Sequence, residues 1–132
     1  MTSTLILVGK KMPENRRDDM CTKNELNSIL QKLTQIYRSV YGENLVQVIL
    51  YGSYARGDYH TDSDVDVVAI VHGDRKTLQQ QLKKVWDSSC ELELEYDTIL
   101  SPTVIPYEEF KQYQTDLPYY RNISQEGVVI SA

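Results

Sequence analysis

The chain has 132 residues, of which 41% are hydrophobic and 25% are charged, with six Gly and four Pro. This length supports one core, and the composition excludes collagen-like and intrinsically disordered chains. The 14 Lys and Arg against 19 Asp and Glu give a net charge of -5. That charge argues against direct binding to a nucleic-acid backbone, so we expect any phosphate ligand to arrive with a metal ion.

Membrane and disulfide features are not apparent in the sequence. No apolar run approaches the roughly 18–20 residues of a membrane span, and the patch over residues 5–8 is too short for a signal-peptide core. Cys21 and Cys90 stand apart, without a Cys-x-x-Cys pair or a Cys/His cluster, so neither a disulfide framework nor a structural zinc site is expected. We therefore expect a cytoplasmic protein with no membrane segment.

The first predicted element is a helix. Thr22-Lys23-Asn24-Glu25 has the form of a capping box, and apolar residues follow it at helical spacing until Gly42. Before this helix, residues 1–20 show no regular pattern and are predicted to be irregular or a lone edge strand. Without repeats or Gly/Ser linkers, residues 1–132 are expected to form a single domain.

Two strands are predicted next. Leu45–Tyr51 is almost wholly aliphatic, which is typical of a strand buried on both faces. Asp64–Val71 alternates acids with aliphatic residues and then becomes wholly apolar. This pattern predicts a strand whose beginning is exposed on one face, where solvent and a ligand can reach it.

The second half of the chain predicts further helices and a third strand. A helical stripe begins after Asp74 and includes Trp86, which we assign to the core. Residues 92–97 alternate apolar and acidic side chains, which predicts a strand that continues to Leu100 and is ended or bulged by Pro102. A short helix over Glu108–Gln114 and a tail packed over the domain follow. Helices alternating with strands predict an α/β fold.

The segment between the first two strands carries the residues best suited to chemistry. Gly52 allows a sharp turn at the end of a buried strand, and Ser53 begins a turn whose amide N–H groups and hydroxyl can face a phosphate. Asp64 and Asp66 leave one face of the next strand, with Cα atoms about 6.6 Å apart. Two such carboxylates repel each other unless cations lie between them, and hard oxygen ligands favour Mg²⁺ or Mn²⁺. The sequence therefore predicts a divalent metal site.

A third acid would enlarge this site. If the predicted strand that carries Asp97 lies beside the strand of Asp64 and Asp66, the three carboxylates could hold two ions roughly 3.5–4 Å apart. Glu95 leaves the same face of that predicted strand two residues earlier. At this stage the third acid is therefore either Asp97 or Glu95.

The same residues resemble a known family. Gly52-Ser53, ten intervening residues and Asp64-x-Asp66 are similar to the signature of the nucleotidyltransferases of the DNA polymerase beta superfamily. The form Gly-Ser-x-Ala-Arg-Gly-Asp at residues 52–58 resembles the minimal nucleotidyltransferase (MNT) branch, whose antitoxin members pair with HEPN-domain toxins. The resemblance covers about residues 24 to 105.

This resemblance implies a single nucleotidyltransferase domain of the α/β (α+β) class, with a mixed β-sheet flanked by helices. Carried over by position, the residues that contact the triphosphate are Gly52 and Ser53. The residues that act as catalytic groups and ligands of two Mg²⁺ ions, with Mn²⁺ as an alternative, are Asp64, Asp66 and Asp97. Arg56 stands at the family's usual arginine, where it either contacts phosphate or anchors the loop.

The activity that the resemblance implies is transfer of a nucleoside monophosphate, AMP from ATP, to an acceptor hydroxyl with release of pyrophosphate. In the antitoxin relatives the acceptor is a tyrosine of the partner toxin. Tyrosine has an ordinary pKa of about 10 and needs a base or a metal ion at neutral pH.

Two alternatives remain open from the sequence. The chain could be a non-catalytic antitoxin that neutralises its partner by direct contact, or it could modify a small hydroxylated molecule, although so short a chain offers no obvious second domain for that pocket. The tyrosines near the C-terminus favour a partner-binding surface, and they are Tyr107, Tyr113, Tyr119 and Tyr120. The oligomeric state is left open.

Overall fold

A four-stranded mixed sheet forms the centre of the computed structural model, which describes residues 23–59 and 63–131. The strands are β1 (Leu45–Tyr51), β2 (Val65–Val71), β3 (Leu100–Pro106) and β4 (Val128–Ser131), in the order β3-β2-β1-β4. β1 pairs antiparallel with β2 and with β4, whereas β2 and β3 are parallel. The predicted irregular segment at residues 1–20 lies outside the described residues.

Helices cover both faces of this sheet, as expected for the α/β class. They are α1 (Lys23–Tyr41), α2 (Ser53–Arg56), α3 (Arg75–Tyr96), α4 (Tyr107–Tyr113) and α5 (Pro118–Glu126). The apolar stripes of α1 and α3 pack with Val65 and Val67 of β2 on one face, the inner face. On the opposite face, the outer face, Phe110 of α4 and Ile123 of α5 pack with Val68 of β2. The alternation of β2 therefore sends its odd-numbered side chains inward and its even-numbered ones outward.

Most of the predicted elements are confirmed. The first helix, both central strands and the helix after residue 106 match their predicted bounds within about two residues. The predicted tail is the helix α5 followed by β4, which adds to the free edge of β1. Thr22 of the predicted capping box lies outside the described residues.

The predicted strand over residues 92–97 is wrong, because residues 92–96 form the last turns of α3. The buried side of α3 continues at intervals of three and four residues up to Leu92, a helical period. Leu94 is 85% exposed, whereas a strand with its apolar residues on one face would bury it together with Leu92. The helix ends at Asp97, in the left-handed region with φ 51. The acids of this segment therefore do not share a strand face.

Trp86 is not a core residue either, since it is 46% exposed. Its indole N–H donates to the carbonyl oxygen of Pro102 at 2.9 Å, so the ring lies against β3. β3 is an edge strand that pairs only with β2 among the described strands. That position explains why Pro102 sits inside β3 rather than ending it, because a proline is tolerated where its missing N–H faces away from the partner strand.

A cluster of three polar side chains links α3, α4 and α5. The carboxylate of Glu109 accepts hydrogen bonds from the guanidinium of Arg75 and from the hydroxyl of Tyr120. The hydrogen bond from Arg75, followed by that from Tyr120, lowers the pKa of the Glu109 carboxyl. These contacts hold α4 and α5 against the outer face.

We expect Glu109→Gln to lower the free energy of unfolding at pH 7 by about 1 kcal/mol or less, since the pair is partly exposed. A carboxyl whose pKa is lowered by folding stabilises the protein above its ordinary pKa and loses that effect as the pH falls through the lowered value. Urea unfolding should therefore show a lower free energy of unfolding for Glu109→Gln than for the unmodified chain at pH 7, and this difference should disappear at acidic pH. The neighbouring, exposed Glu108→Gln is the control, and an equal loss at both pH values would contradict the assignment.

Within the described ranges, no helix combines the length and the hydropathy that a membrane crossing requires.

Candidate nucleotide and metal site

The turn after β1 brings the backbone close to an acidic side chain. Gly52 adopts φ 80, and its carbonyl oxygen accepts from the amides of Ala55 and Arg56 at 3.0 Å each, which starts α2. A Cβ built on Gly52 would lie only 2.4 Å from Oδ2 of Asp66. Glycine is therefore required here both for the left-handed backbone and for the approach of the Asp66 carboxylate. The amide of Ser53, the first residue of α2, has no carbonyl acceptor within the helix.

Asp66 projects from the outer face of β2, since its neighbours Val65 and Val67 belong to the inner core. Its partners in register are Tyr51 on β1 and Ser101 on β3. Asp64 lies just before β2, and the hydroxyl of Ser101 donates to its Oδ2 at 3.2 Å. The structure thus places the two carboxylates together, beside the turn at Gly52.

The electrostatics of this pair are unfavourable without a cation. Burial, followed by the negative charge of Asp64, raises the pKa of the Asp66 carboxyl, and Arg56 opposes the rise. Both carboxylates are only partly buried. A divalent cation between them would remove the repulsion and would find hard oxygen ligands of the kind that Mg²⁺ prefers. In proteins Mg²⁺ is typically held by one or two carboxylates together with substrate phosphates, and this donor set fits that pattern.

Neither candidate for the third acid is gathered with this pair. Asp97 is the exposed C-cap residue of α3, and its amide donates to the carbonyl oxygen of Glu93. Glu95 lies on α3, where its Oε2 is 3.2 Å from Nζ of Lys32 on α1. Among the described residues, no group of three or more His, Cys, Asp and Glu side chains could hold a metal ion.

The residues of β3 and of the segment just before it that lie beside Asp64 and Asp66 are not acidic. Ser101 of β3 is in register with Asp66. Two residues earlier, the carbonyl oxygen of Ile99 accepts from the amide of Val65 at 2.9 Å. Ile99 is 57% exposed. The neighbouring strand therefore offers a hydroxyl and an apolar side chain at the positions closest to the two carboxylates.

Arg56, at the end of α2, is held by acidic residues. Its Nε lies 3.3 Å from Oδ2 of Asp58, and its Nη1 lies 3.7 Å from Oε1 of Glu126 on α5. The structure thus shows the anchoring role that the sequence left as one of two options. The positive charge of Arg56 also lowers the pKa of the Asp66 carboxyl.

Sequence reasoning missed Ser101 and Tyr119. Ser101 was missed because the third strand was predicted too early. The alternation of buried Leu100 and Val104 with outward Ser101 and Ile105 was the available signal. Tyr119, whose ring packs edge-on against Tyr51 on the outer face, was noted only as part of a tyrosine-rich segment, because its position depends on how α5 packs.

Comparisons with known proteins identify the family of the chain. Residues 26–130 match the family described as "Nucleotidyltransferase domain". Two proteins of Methanocaldococcus jannaschii, each named "Putative protein adenylyltransferase", are similar to the chain. One is 35% identical over 80 residues, covering 61% of this chain and 79% of the relative. The other is 28% identical over 101 residues, covering 76% of this chain and 93% of the relative.

Among solved structures, a protein described as "Crystal structure of the toxin-antitoxin with AMP-PNP" is similar with a TM-score of 0.48 and 17% identity, over 80% of this chain and 71% of that chain. The family match spans most of the sequence, and the first relative shares more than 30% identity over most of its own length. This chain therefore belongs to the nucleotidyltransferase family and is an enzyme of that family.

Proposed function

We propose that the chain transfers AMP from ATP to a tyrosine hydroxyl of a partner protein, a HEPN-domain toxin, and thereby acts as its antitoxin. The observation that carries the proposal is the approach of the Asp66 carboxylate to the backbone of Gly52. This approach places the proposed metal ligands next to the turn that is proposed to bind the triphosphate. A protein acceptor is supported by the names of the two relatives. The HEPN partner is supported by the resemblance of residues 52–58 to the MNT branch. Since ATP is its donor, the cytoplasm is its proposed location.

The proposed cofactor is Mg²⁺, for which Mn²⁺ can substitute, and Asp64 and Asp66 are its proposed protein ligands. Nucleotidyltransferases generally use divalent metal ions. When bound, such an ion neutralises phosphate charge and lowers the pKa of an attacking hydroxyl. The nucleotide's own phosphates can complete the ligand set, so we place Asp97 outside it.

The residues of the chain then have distinct tasks. The backbone at Gly52 and Ser53 receives the triphosphate, because the Ser53 amide stands at the start of α2, where no carbonyl of the helix can accept from it. Ser101 orients Asp64 through its hydrogen bond. Arg56 ties α2 to α5 and contributes positive charge near the phosphates. The transfer itself needs positioning and charge neutralisation, without a covalent enzyme intermediate.

Radiolabelled ATP tests this function directly. The purified chain is incubated with Mg²⁺, a HEPN-domain toxin, and ATP labelled at either the α- or the γ-phosphate. We expect only the α-label to reach a tyrosine of the partner. Transfer of the γ-label would identify a kinase, and stoichiometric neutralisation of the partner without ATP would identify a non-catalytic binding module.

The role of Asp97 is tested by Asp97→Asn. Because the structure leaves this residue at the exposed end of α3, we expect transfer to fall by less than about threefold, as for most surface substitutions. Initial rates with α-labelled ATP at saturating Mg²⁺ provide the measurement, with Glu95→Gln in parallel. A loss as large as that of Asp64→Asn would make Asp97 the third metal ligand.

A further inference from the structure

One tyrosine outside the proposed machinery lies on the same face of the sheet as the two acids. The ring of Tyr119, on α5, packs edge-on against Tyr51, with ring centroids 5.9 Å apart and an interplanar angle of 85°. Burial raises the pKa of the Tyr119 hydroxyl, the nearby side chain of Thr103 on β3 lowers it, and the charge of Asp66 raises it further. Tyr119 is nevertheless 47% exposed.

The sheet register fixes where this side chain runs. Tyr51 on β1 is in register with Asp66, and Thr103 on β3 is in register with Val68. A ring that contacts Tyr51 while its hydroxyl reaches Thr103 therefore crosses β2 next to Asp66. Thr103 is one step beyond Ser101 on the outer face, about 6.6 Å along the strand.

The order of groups across the sheet suits an in-line transfer. The turn at Gly52, which is proposed to receive the phosphates, follows β1, Asp64 and Asp66 lie at the start of β2, and the Tyr119 hydroxyl is close to Thr103 on β3. A phosphorus atom held at the acids would thus have its leaving group on the β1 side and the phenolic oxygen on the β3 side. In-line displacement requires these opposite positions.

We propose that Tyr119 is a self-modification site, to which the chain transfers AMP from ATP when no partner occupies the acceptor position. This inference rests on the proposed function. The Tyr119 oxygen forms a bond to the α-phosphorus, the bond from that phosphorus to the oxygen bridging to the β-phosphate breaks, and pyrophosphate leaves. The phenolic proton passes to solvent water.

Other tyrosines of the outer face are less suited as acceptors. Tyr120 is 8% exposed, and its hydroxyl donates to Glu109. Tyr51 lies within the electrostatic influence of Arg56, on the side of the turn that would hold the leaving group. Only Tyr119 among these three combines exposure with a hydroxyl on the β3 side.

The test uses the isolated chain with Mg²⁺ and α-labelled ATP, followed by peptide mass spectrometry. We expect a mass increase of one AMP on Tyr119, at a first-order rate that does not change over an about tenfold range of protein concentration, because the acceptor belongs to the same molecule. Tyr119→Phe should lose this label by more than about tenfold. Tyr113→Phe, a tyrosine of α4, should retain it.

The outcomes separate this inference from the proposed function. A labelled partner with no AMP on Tyr119, or AMP on a different residue, overturns the self-modification and leaves the proposed function standing. A rate that rises in proportion to protein concentration overturns the geometry inferred here. Absence of label on both the partner and the chain overturns both proposals.

Discussion

Replacing Gly52 with alanine is expected to reduce nucleotide transfer by at least about 100-fold, because the new Cβ would meet the Asp66 carboxylate and displace it. The distance from that Cβ to Oδ2 of Asp66 would be 2.4 Å, and the carboxylate cannot move without leaving its position beside the turn. The left-handed φ of 80 adds backbone strain. Together these effects should lower the free energy of unfolding by about 2–3 kcal/mol.

Gly57→Ala provides a matched control at the other end of α2. Gly57 has φ 90, but a Cβ built there meets no heavy atom within 4 Å. Its substitution carries the strain of a left-handed alanine, about 1–2 kcal/mol, without the contact. Transfer should fall by less than about threefold once folded protein is measured. Equal losses of activity in both variants would show that strain alone explains the effect of Gly52→Ala.

The double variant Asp64→Asn with Asp66→Asn is expected to lower transfer by about 10³-fold or more, since the site would lose its charge for binding a cation. Binding of Mg²⁺ and ATP should no longer raise the melting temperature, as ligand binding to the native state otherwise does. Thermal melts with and without Mg²⁺ and ATP give the measurement. Asp87→Asn, at an exposed position of α3, is the control and should behave like the unmodified chain.

Without metal, Asp66→Asn should stabilise the fold. Burial and the neighbouring Asp64 raise the pKa of Asp66, so the folded protein binds this proton more tightly than the unfolded chain does. The free energy of unfolding of the unmodified chain therefore falls as the pH rises from the ordinary pKa of an aspartate through the raised pKa of Asp66. The asparagine variant lacks this fall, and urea unfolding across that pH range checks it. A variant less stable than the unmodified chain at neutral pH would contradict a repulsive pair.

The sequence made the central part of the site predictable, because its signals are local. Valines alternate with Asp64 and Asp66 at the start of β2, which fixes both the strand and the face of the acids. The glycine after a buried strand likewise indicates the turn. These features depend on residues that are adjacent in the chain.

The β3 side was less predictable, because an alternating pattern can also end a helix. Leu92 and Leu94 alternate with acids, yet only Leu92 lies at the spacing that continues the buried side of α3. Once that segment is helical, the neighbour of Asp66 becomes Ser101. The position of Tyr119 depends on α5 packing against the sheet, a tertiary contact without a local signal.

Crystals grown with Mn²⁺ and a non-hydrolysable ATP analogue provide the most direct test of the central claim, because anomalous scattering locates the metal. We expect a metal peak within about 2.5 Å of carboxylate oxygens from both Asp64 and Asp66, with the triphosphate on the turn at Gly52 and Ser53. A metal bound away from these two carboxylates, or a triphosphate that does not contact the turn, would contradict the account.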